Sequence, residues 1–342
     1  MTAEFHATKD FPRDLCNEIS TLEPYNPFHT PGFADAMQAL GAQPYLLYTA
    51  DQGLLLKGCL GFLRSGRLNR SLEIPSVAPF TADDLFWTNL VNLCRQQRVT
   101  QLSVDSFASA SAVIPSLPGE INRQSRIEYI LDLGSPDLWS KMSTNHRRNI
   151  QKALKAGVVI GRSTAPQACQ DHARLQDASM ERRIGRGEHV TADAQIRTAA
   201  ALLEHQVGEL FRAILGNQVL SSILVLRAAR GAYYHSAGTS REGMSLGASH
   251  LLIKTVVEIL RDEGIQRFNL GGADARNPGL ERFKTGFGGQ GVSLEAARFY
   301  FGNRLQKGLA TMVDLLRRFA QPQASVKAKP NASIQNQAQQ SL

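Results

Sequence analysis

The chain has 342 residues, 43% hydrophobic and 20% charged, a composition that suits a globular protein with core enough for about two domains. No window approaches the roughly 18 unbroken apolar residues of a spanning helix, which excludes a helical integral membrane protein, and Met1–His6 carries neither the basic start nor the apolar run of a signal peptide. The expected location is therefore cytoplasmic. Lys and Arg total 38 against 30 acidic residues, a net charge of +8; this favours anionic partners such as nucleotides, phosphates, tRNA or a membrane surface without choosing among them.

In chain order, Pro44–Thr49 and Leu54–Phe62 read as a hairpin closed at Asp51-Gln52-Gly53. A Gly/Pro/Ser-containing excursion over 63–81 follows, then a helix near 82–97 with Phe86, Leu90, Val91 and Leu93 at helical spacing. Strands follow at Val99–Val104 and Ile127–Leu131. Ser135-Pro136-Asp137 reads as an N-cap with Pro at the first helical position, the helix breaking near 143–145 and stopping at Gly157. Two further helices are expected near 166–184 and 192–206. The first pattern then returns: strands at Val219–Leu226 and Ala232–Ala237 around a turn at Arg230-Gly231, a loop, a helix near 247–262 capped at Gly264, and strands at Ile265–Leu270 and Val292–Phe301. Leu305, Leu309, Met312, Leu316 and Phe319 predict an amphipathic helix over 303–319, and the Gln/Asn/Ser/Ala-rich end predicts a disordered tail.

The order hairpin, loop, helix, strand thus occurs twice. It predicts an α/β (α+β) chain of two domains of one fold, residues 1–134 and 135–302, followed by the helix at 303–320 and the tail at 321–342. Cys16, Cys59, Cys94 and Cys169 are far apart with no Cys-x-x-Cys, so buried free thiols are expected.

Three segments can carry chemistry. Ser240–Ser249 brings small residues to a helix N-terminus, where free backbone N–H groups hold a phosphate or pyrophosphate; Arg241, Ser245, Leu246, Gly247, Ala248 and Ser249 are the candidate cofactor ligands. The same residues suit a ligand-free capped helix equally well. Gly271–Gly289 is a glycine-dense loop after a core strand, holding Asp274 and Lys284, the latter between Phe283 and Phe287. A snorkelling lysine is the plainer alternative. Arg148, Lys152 and Lys155 share one helix face, a phosphate contact or simply a solvated surface. No His-Glu-x-x-His, Gly-x-Ser-x-Gly, Walker loop or Gly-x-Gly-x-x-Gly after a strand occurs, and no metal site is expected. His172, His189 and His205 are expected at the surface or in packing.

Met142–Val158 resembles the "S-x-x-x-R-x-x-I-x-K-A-x-K-x-G-V" segment of the Fem-like group within the GNAT superfamily. Phe268–Gly272 with Gly279–Gly289 is similar to that group's strand followed by "G-L-x-x-F-K-x-G-F-G-G". The resemblance covers about 25–300 and implies two tandem GNAT-like domains, each a mixed, mostly antiparallel sheet flanked by helices. It implies transfer of an acyl or aminoacyl group to an amine or hydroxyl. Lys284 matches the family lysine at the substrate site. Asp105 falls where Fem transferases often have Asp-Pro, with Ser106 in place of the proline, and Asn269 stands where many relatives have Asp. Met244–Ser249 aligns on Gly247 with the coenzyme A phosphate signature, of which only the central glycine fits outright.

The function expected first is transfer from acetyl-CoA or another acyl-CoA to a small-molecule, sugar or cell-envelope precursor acceptor. Tyr233 and His235 are the candidate acid or base, on one strand face by alternation, with Tyr234 on the other. Lys284 stabilises charge, and Asp105, Arg148, Asp274 and Phe283 are candidate acceptor-binding residues. The second reading is a Fem-like aminoacyl-tRNA-dependent transferase, favoured by the basic helix; the third is a non-catalytic binding protein that keeps the fold. DNA is not an expected partner, and peripheral membrane contact through 303–319 is less favoured than docking of that helix on the protein.

Overall fold

The computed structural model describes residues 3–302 except 67–68, 82–83, 110–112, 185–191 and 274–277. The expected helix at 303–319 and the tail, with His189 and Asp274, lie outside the described residues. The elements are β1 (Glu4–Thr8), α1 (Arg13–Leu22), a 3-10 turn (Pro27–His29), α2 (Pro31–Ala39), β2 (Gln43–Asp51), β3 (Leu54–Ser65), β4 (Arg70–Ile74), α3 (Leu85–Gln96), β5 (Gln101–Val104) and β6 (Glu120–Asp132). Then come α4 (Thr144–Lys155), β7 (Val159–Ser163), α5 (Pro166–Ile184), α6 (Ala192–Glu204), β8 (Gly208–Leu215), β9 (Gln218–Arg227), β10 (Gly231–Thr239), α7 (Arg241–Leu246), α8 (Ala248–Asp262), β11 (Arg267–Ala273), α9 (Pro278–Thr285) and β12 (Gln290–Tyr300).

All twelve strands form one sheet in the order β1-β2-β3-β4-β5-β12-β6-β11-β10-β9-β8-β7. Its two wings are alike: three antiparallel pairings followed by a parallel one, β4 with β5 and β10 with β11. At the centre the halves exchange strands. β6, the last strand of the first half, pairs with β11, and β12 pairs with β5. The 134/135 boundary expected from the repeat falls just after β6, yet β6 is laid into the second half's ladder.

One face of the sheet carries a core common to both halves, in which Phe33, Phe62 and Ile19 pack with Leu202, Leu210, Leu226 and Tyr233 beneath α1, α2, α5 and α6. At Gly32 of α2, an added Cβ would lie 2.7 Å from the His205 carbonyl oxygen that ends α6, so the helices of the two halves touch backbone to backbone. The opposite face is divided. Trp87, Phe86 and Leu90 of α3 cover the first wing, and α4 with α8 cover the second through Ile150, Ala153, Leu252 and Val256. Burying side chains of this size contributes about 1.5–3 kcal/mol each, so the shared core binds the halves together strongly. The four cysteines are buried and free, and burial pushes the thiols of Cys16, Cys59 and Cys94 up to about 12.

Several local expectations are corrected. The excursion over 63–81 contains β4, and 136–141 is a run of turns rather than helix; Ser143 is the true N-cap, its Oγ accepting from the His146 N–H. Arg147 closes those turns by donating to the Met142 and Trp139 carbonyls. The loop expected before α8 is helix α7, because Ser240 Oγ accepts from the Gly243 N–H and starts a turn early. His172 is buried, while His205 is half-buried.

Candidate active site

The parallel strands β10 and β11 pair only over Gly231–Tyr233 and Arg267–Asn269. Beyond that point each strand has a bulge against its other neighbour, between Tyr234 and Ser236 and between Asn269 and Gly272. A bulge sharpens strand twist and re-aims side chains. The two strands therefore part, and the inner edge of β10 loses its ladder partner.

Four donors meet in that gap around Glu128 of β6, which is 0% exposed. Tyr233 Oη and Arg126 Nη2 donate to Glu128 Oε1 at 2.8 and 2.7 Å. Asn269 Nδ2 and the Ala108 N–H donate to Oε2 at 2.7 and 3.0 Å. An all-donor shell is what an acceptor-only carboxylate requires when buried. Asn269 also accepts from the Gly271 N–H at 2.8 Å, fixing the turn of the bulge. The Arg126 guanidinium lies 4.0 Å from the centre of the Phe107 ring, and the Tyr233 ring meets Phe28 edge-on at 5.0 Å. The first half thus supplies Phe28, Phe107, Ala108, Arg126 and Glu128 to a gap whose walls belong to the second.

Lys284 enters from the α4/α8 face. Its neighbours Phe283 and Phe287 do not bracket it; they pack with His146 and His250, while the Lys284 ammonium, 4% exposed as a residue, donates to the Gly272 carbonyl at 2.5 Å and lies 5.7 Å from the Tyr234 ring centre. Gly271 has φ +72, and a Cβ placed there would be 3.6 Å from Lys284 Nζ and 3.7 Å from Tyr233 Oη. Those two expected residues therefore both end beside Gly271, as does the Tyr234 carbonyl oxygen at 3.2 Å from the same point. Burial, then the Glu128 charge, raises the Tyr233 phenol well above its usual range, against a smaller lowering by Arg126, so this phenol keeps its proton.

His235 occupies the bulge of β10. Ser236, opposite Leu224 as Tyr233 is opposite Leu226, takes the next ladder place, so simple alternation does not describe this stretch. Beneath it His172 of α5 bridges Ser222 Oγ and Ser236 Oγ at 3.0 and 2.9 Å, and His235 Nδ1 is 3.5 Å from Ser236 Oγ. Burial pushes both imidazoles down to about 4, with mutual repulsion adding to His172.

Gly247, in the left-handed conformation at φ +76, joins α7 to α8, and a Cβ on it would lie 2.4 Å from the Asn149 carbonyl oxygen of α4. The close approach sets Asn149 of α4 against the start of α8. Arg148, Lys152 and Lys155 on the basic face of α4 are exposed and have no ion-pair partner among the described residues. Ser245 Oγ is turned back to the Glu242 carbonyl, and Leu246 packs in the core; Arg241 is exposed. Asp105 is held at 2.9 and 3.1 Å by Arg298 of β12 in a two-toothed pair and has no described contact with Lys284. Phe283 is a packing residue of the aromatic cluster. Glu128 and Arg126 were missed from the sequence, although a lone carboxylate inside Ile127-Glu128-Tyr129-Ile130-Leu131 is the signal that marks Glu128.

The acetyltransferase (GNAT) domain family matches residues 140–285. Among solved structures, FemX superposes with a TM-score of 0.63 at 12% identity, covering 92% of this chain and 100% of that one. A tandem GNAT protein from the clavulanic acid biosynthesis pathway gives 0.55 at 11%, covering 88% and 99%. The C-terminal domain of a putative lysylphosphatidylglycerol synthetase from Agrobacterium fabrum gives 0.51 at 12%, covering 90% and 97%. A comparison with curated protein sequences found no match. Residues 140–285 thus match the GNAT acetyltransferase domain family, and the fold of the chain is similar to that of FemX and of the tandem GNAT protein. Among the described residues no cluster of His, Cys, Asp or Glu is arranged to hold a metal ion, and no helix is long and apolar enough to cross a membrane.

Proposed function

We propose that this chain moves an acyl group from an acyl-CoA to an amine or hydroxyl of an acceptor bound where β10 and β11 part. The observation that carries the reading is the end of the β10–β11 pairing at Tyr233 and Asn269, with Tyr233 Oη and Lys284 Nζ both within 4 Å of the place a Gly271 Cβ would take. Attack on a thioester needs polarisation of the carbonyl and management of one proton. The backbone N–H groups of β10 beyond its pairing with β11 are the candidates for the first, and Lys284 adds a positive charge for the developing oxyanion or an anionic acceptor. Proximity supplies much of the remaining acceleration.

The start of α8 is the candidate place for coenzyme A, where the Ala248 and Ser249 N–H groups precede the first bonds from His250 and Leu251 to the Gly247 carbonyl, and Arg148 and Lys152 of α4 are the candidate charges for its phosphates. The same uncompensated face of α4 supports a second reading, in which the donor is an aminoacyl-tRNA held by its phosphates. The acceptor on either reading is a small molecule, a sugar or a cell-envelope precursor.

The test is calorimetric titration of the full chain with acetyl-CoA and with a mixed aminoacyl-tRNA pool at moderate salt. Gly247 is a poor target for mutation, since any side chain there drives into the Asn149 backbone; the paired charge reversals Arg148→Glu and Lys152→Glu act without that clash. Acetyl-CoA binding weakened about tenfold or more by those reversals supports the first reading. Tight, salt-sensitive tRNA binding with no heat from acetyl-CoA replaces it with the second, and no binding of either donor leaves the fold as a non-catalytic scaffold.

A further inference from the structure

We infer that Glu128 is a positioning residue for the transfer step, taking the phenolic proton of Tyr233 as Tyr233 Oη takes the proton of the attacking amine or hydroxyl. The inference rests on the acyl-transfer reading above and adds to it a role for a strand contributed by the first half.

Glu128 itself has no exposed surface, so it acts on the acceptor only through a neighbour. Tyr233 is that neighbour: its hydroxyl donates to Glu128 Oε1 at 2.8 Å, Arg126 also engages the phenol oxygen, and Tyr233 Oη and Lys284 Nζ both lie within 4 Å of the place a Gly271 Cβ would take. A phenol whose own proton is held this firmly by burial and by a nearby carboxylate is a poor base alone. It becomes an effective one when it passes its proton on while receiving another, because no tyrosinate is then formed. The other three donors around Glu128 fix the direction of transfer. Asn269 and the Ala108 N–H occupy Oε2, while Oε1 is shared by Arg126 and Tyr233, so the only hydroxyl among the four donors sits on Oε1.

The step balances. The acceptor nitrogen or oxygen forms a bond to the acyl carbon and the carbon–sulfur bond breaks. The acceptor proton moves to Tyr233 Oη as the tyrosine proton moves to Glu128 Oε1. The departing coenzyme A sulfur then receives a proton back along the same path, giving the acylated acceptor and free thiol.

Glu128→Gln keeps the size of the side chain and, with its amide oxygen at the Oε1 place, still accepts from Tyr233, but it cannot take the proton and turns its amide donor toward Asn269 Nδ2 and the Ala108 N–H. It is expected to lower kcat by about 10²–10⁴ and to leave acetyl-CoA binding by calorimetry within about twofold, with Glu128→Asp, which restores a carboxylate, recovering part of the rate. A Glu128→Gln enzyme that turns over within about threefold of wild type overturns the inference. If that variant does not fold, Tyr233→Phe retains the ring against Phe28 and Phe107; a comparable loss of kcat supports the relay and full activity refutes it. Loss of the acyl-CoA reading is seen separately, in the wild-type titration. If the wild type binds aminoacyl-tRNA instead, the same variants are compared with that donor, since the relay concerns the acceptor's proton.

Discussion

The two wings of the sheet repeat one order of elements and use their parallel strand pair in opposite ways. In the first, β4 and β5 pair over Ser71–Ile74 and Gln101–Val104 and then stay closed. The Asp105 N–H donates to the Ile74 carbonyl, the Val77 N–H to the Asp105 carbonyl, and Ser76 bridges Ser106. In the second, β10 and β11 separate after three residue pairs, and Lys284 enters the opening. Counted from the first residue of each strand, Asp105 and Gly271 hold the same place: one carries a carboxylate tied to Arg298, the other no side chain at all. A repeated order of elements thus yields one closed strand pair and one open pair, and the closed half lends β6 to the open one. The acetyltransferase family match, confined to residues 140–285, follows the same division.

The largest expected effect sets Lys284 against Arg298, one cation from each parallel pair. Lys284→Ala removes the charge in the gap and is expected to cost about 10²–10³ in kcat/KM, the range for loss of a preorganised donor. Arg298→Ala breaks the pair with Asp105 and the hydrogen bonds to the Val104 and Ala297 carbonyls, all in the first wing's closed pair and its neighbour β12, and acyl transfer is expected to stay within about twofold. Steady-state rates of the two variants decide it; an equal loss in both erases the functional asymmetry.

Acid stability sharpens the comparison by a different route. Burial, joined by a neighbouring imidazole for His172 and His250, pushes His172, His235 and His250 in the second half down to about 4, as burial does for His29 in the first. Each is neutral in the fold and takes up a proton in the unfolded chain at its ordinary value of 6.5. The unfolded state therefore binds more protons between these limits. Stability is fully present above pH 6.5, falls as the pH drops, and levels off below about 4, by up to ~3 kcal/mol per group and less than additively for the coupled His172 and His235. Urea unfolding across this window is expected to show a shallower pH slope for His172→Gln than for wild type. An unchanged slope means that His172 accepts its proton in the folded state.

Much of this fold is legible in the sequence and its central feature is not. The hairpins around Gln52-Gly53 and Arg230-Gly231 announce themselves because apolar strands flank local turn chemistry, and α8 does so through Leu251, Leu252, Val256 and Leu260. The exchange of β6 and β12 leaves no local trace, since Ile127–Leu131 reads alike beside β5 or β11 and partner choice is set by contacts over a hundred residues apart. Helix α7 hides for the opposite reason: its six residues are too few for a period, and only the Ser240 cap betrays it. Lys284 and Tyr233 were marked as candidates, the lysine by its glycine-rich surroundings and by resemblance. Their meeting at Gly271 depends on two bulges that alternation cannot forecast.

The smallest expected effect isolates those paired positions, Asp105 and Gly271. Asp105→Ala removes a partly exposed ion pair, for which about 1 kcal/mol or less of stability is expected, and activity should not follow, because nothing described links that carboxylate to the gap. Gly271→Ala is expected to cost about 1–2 kcal/mol for placing an L-residue at φ +72, a similar loss on the same scale. The difference lies in what the new methyl meets. It would press on the Tyr234 carbonyl oxygen at 3.2 Å and stand within van der Waals distance of both Lys284 Nζ and Tyr233 Oη, so acyl transfer should fall well beyond what the lost stability explains. Urea midpoints and transfer rates measured on both variants separate the terms. If the two lose stability alike and activity alike, the opened strand pair is a variation in packing and the site lies elsewhere.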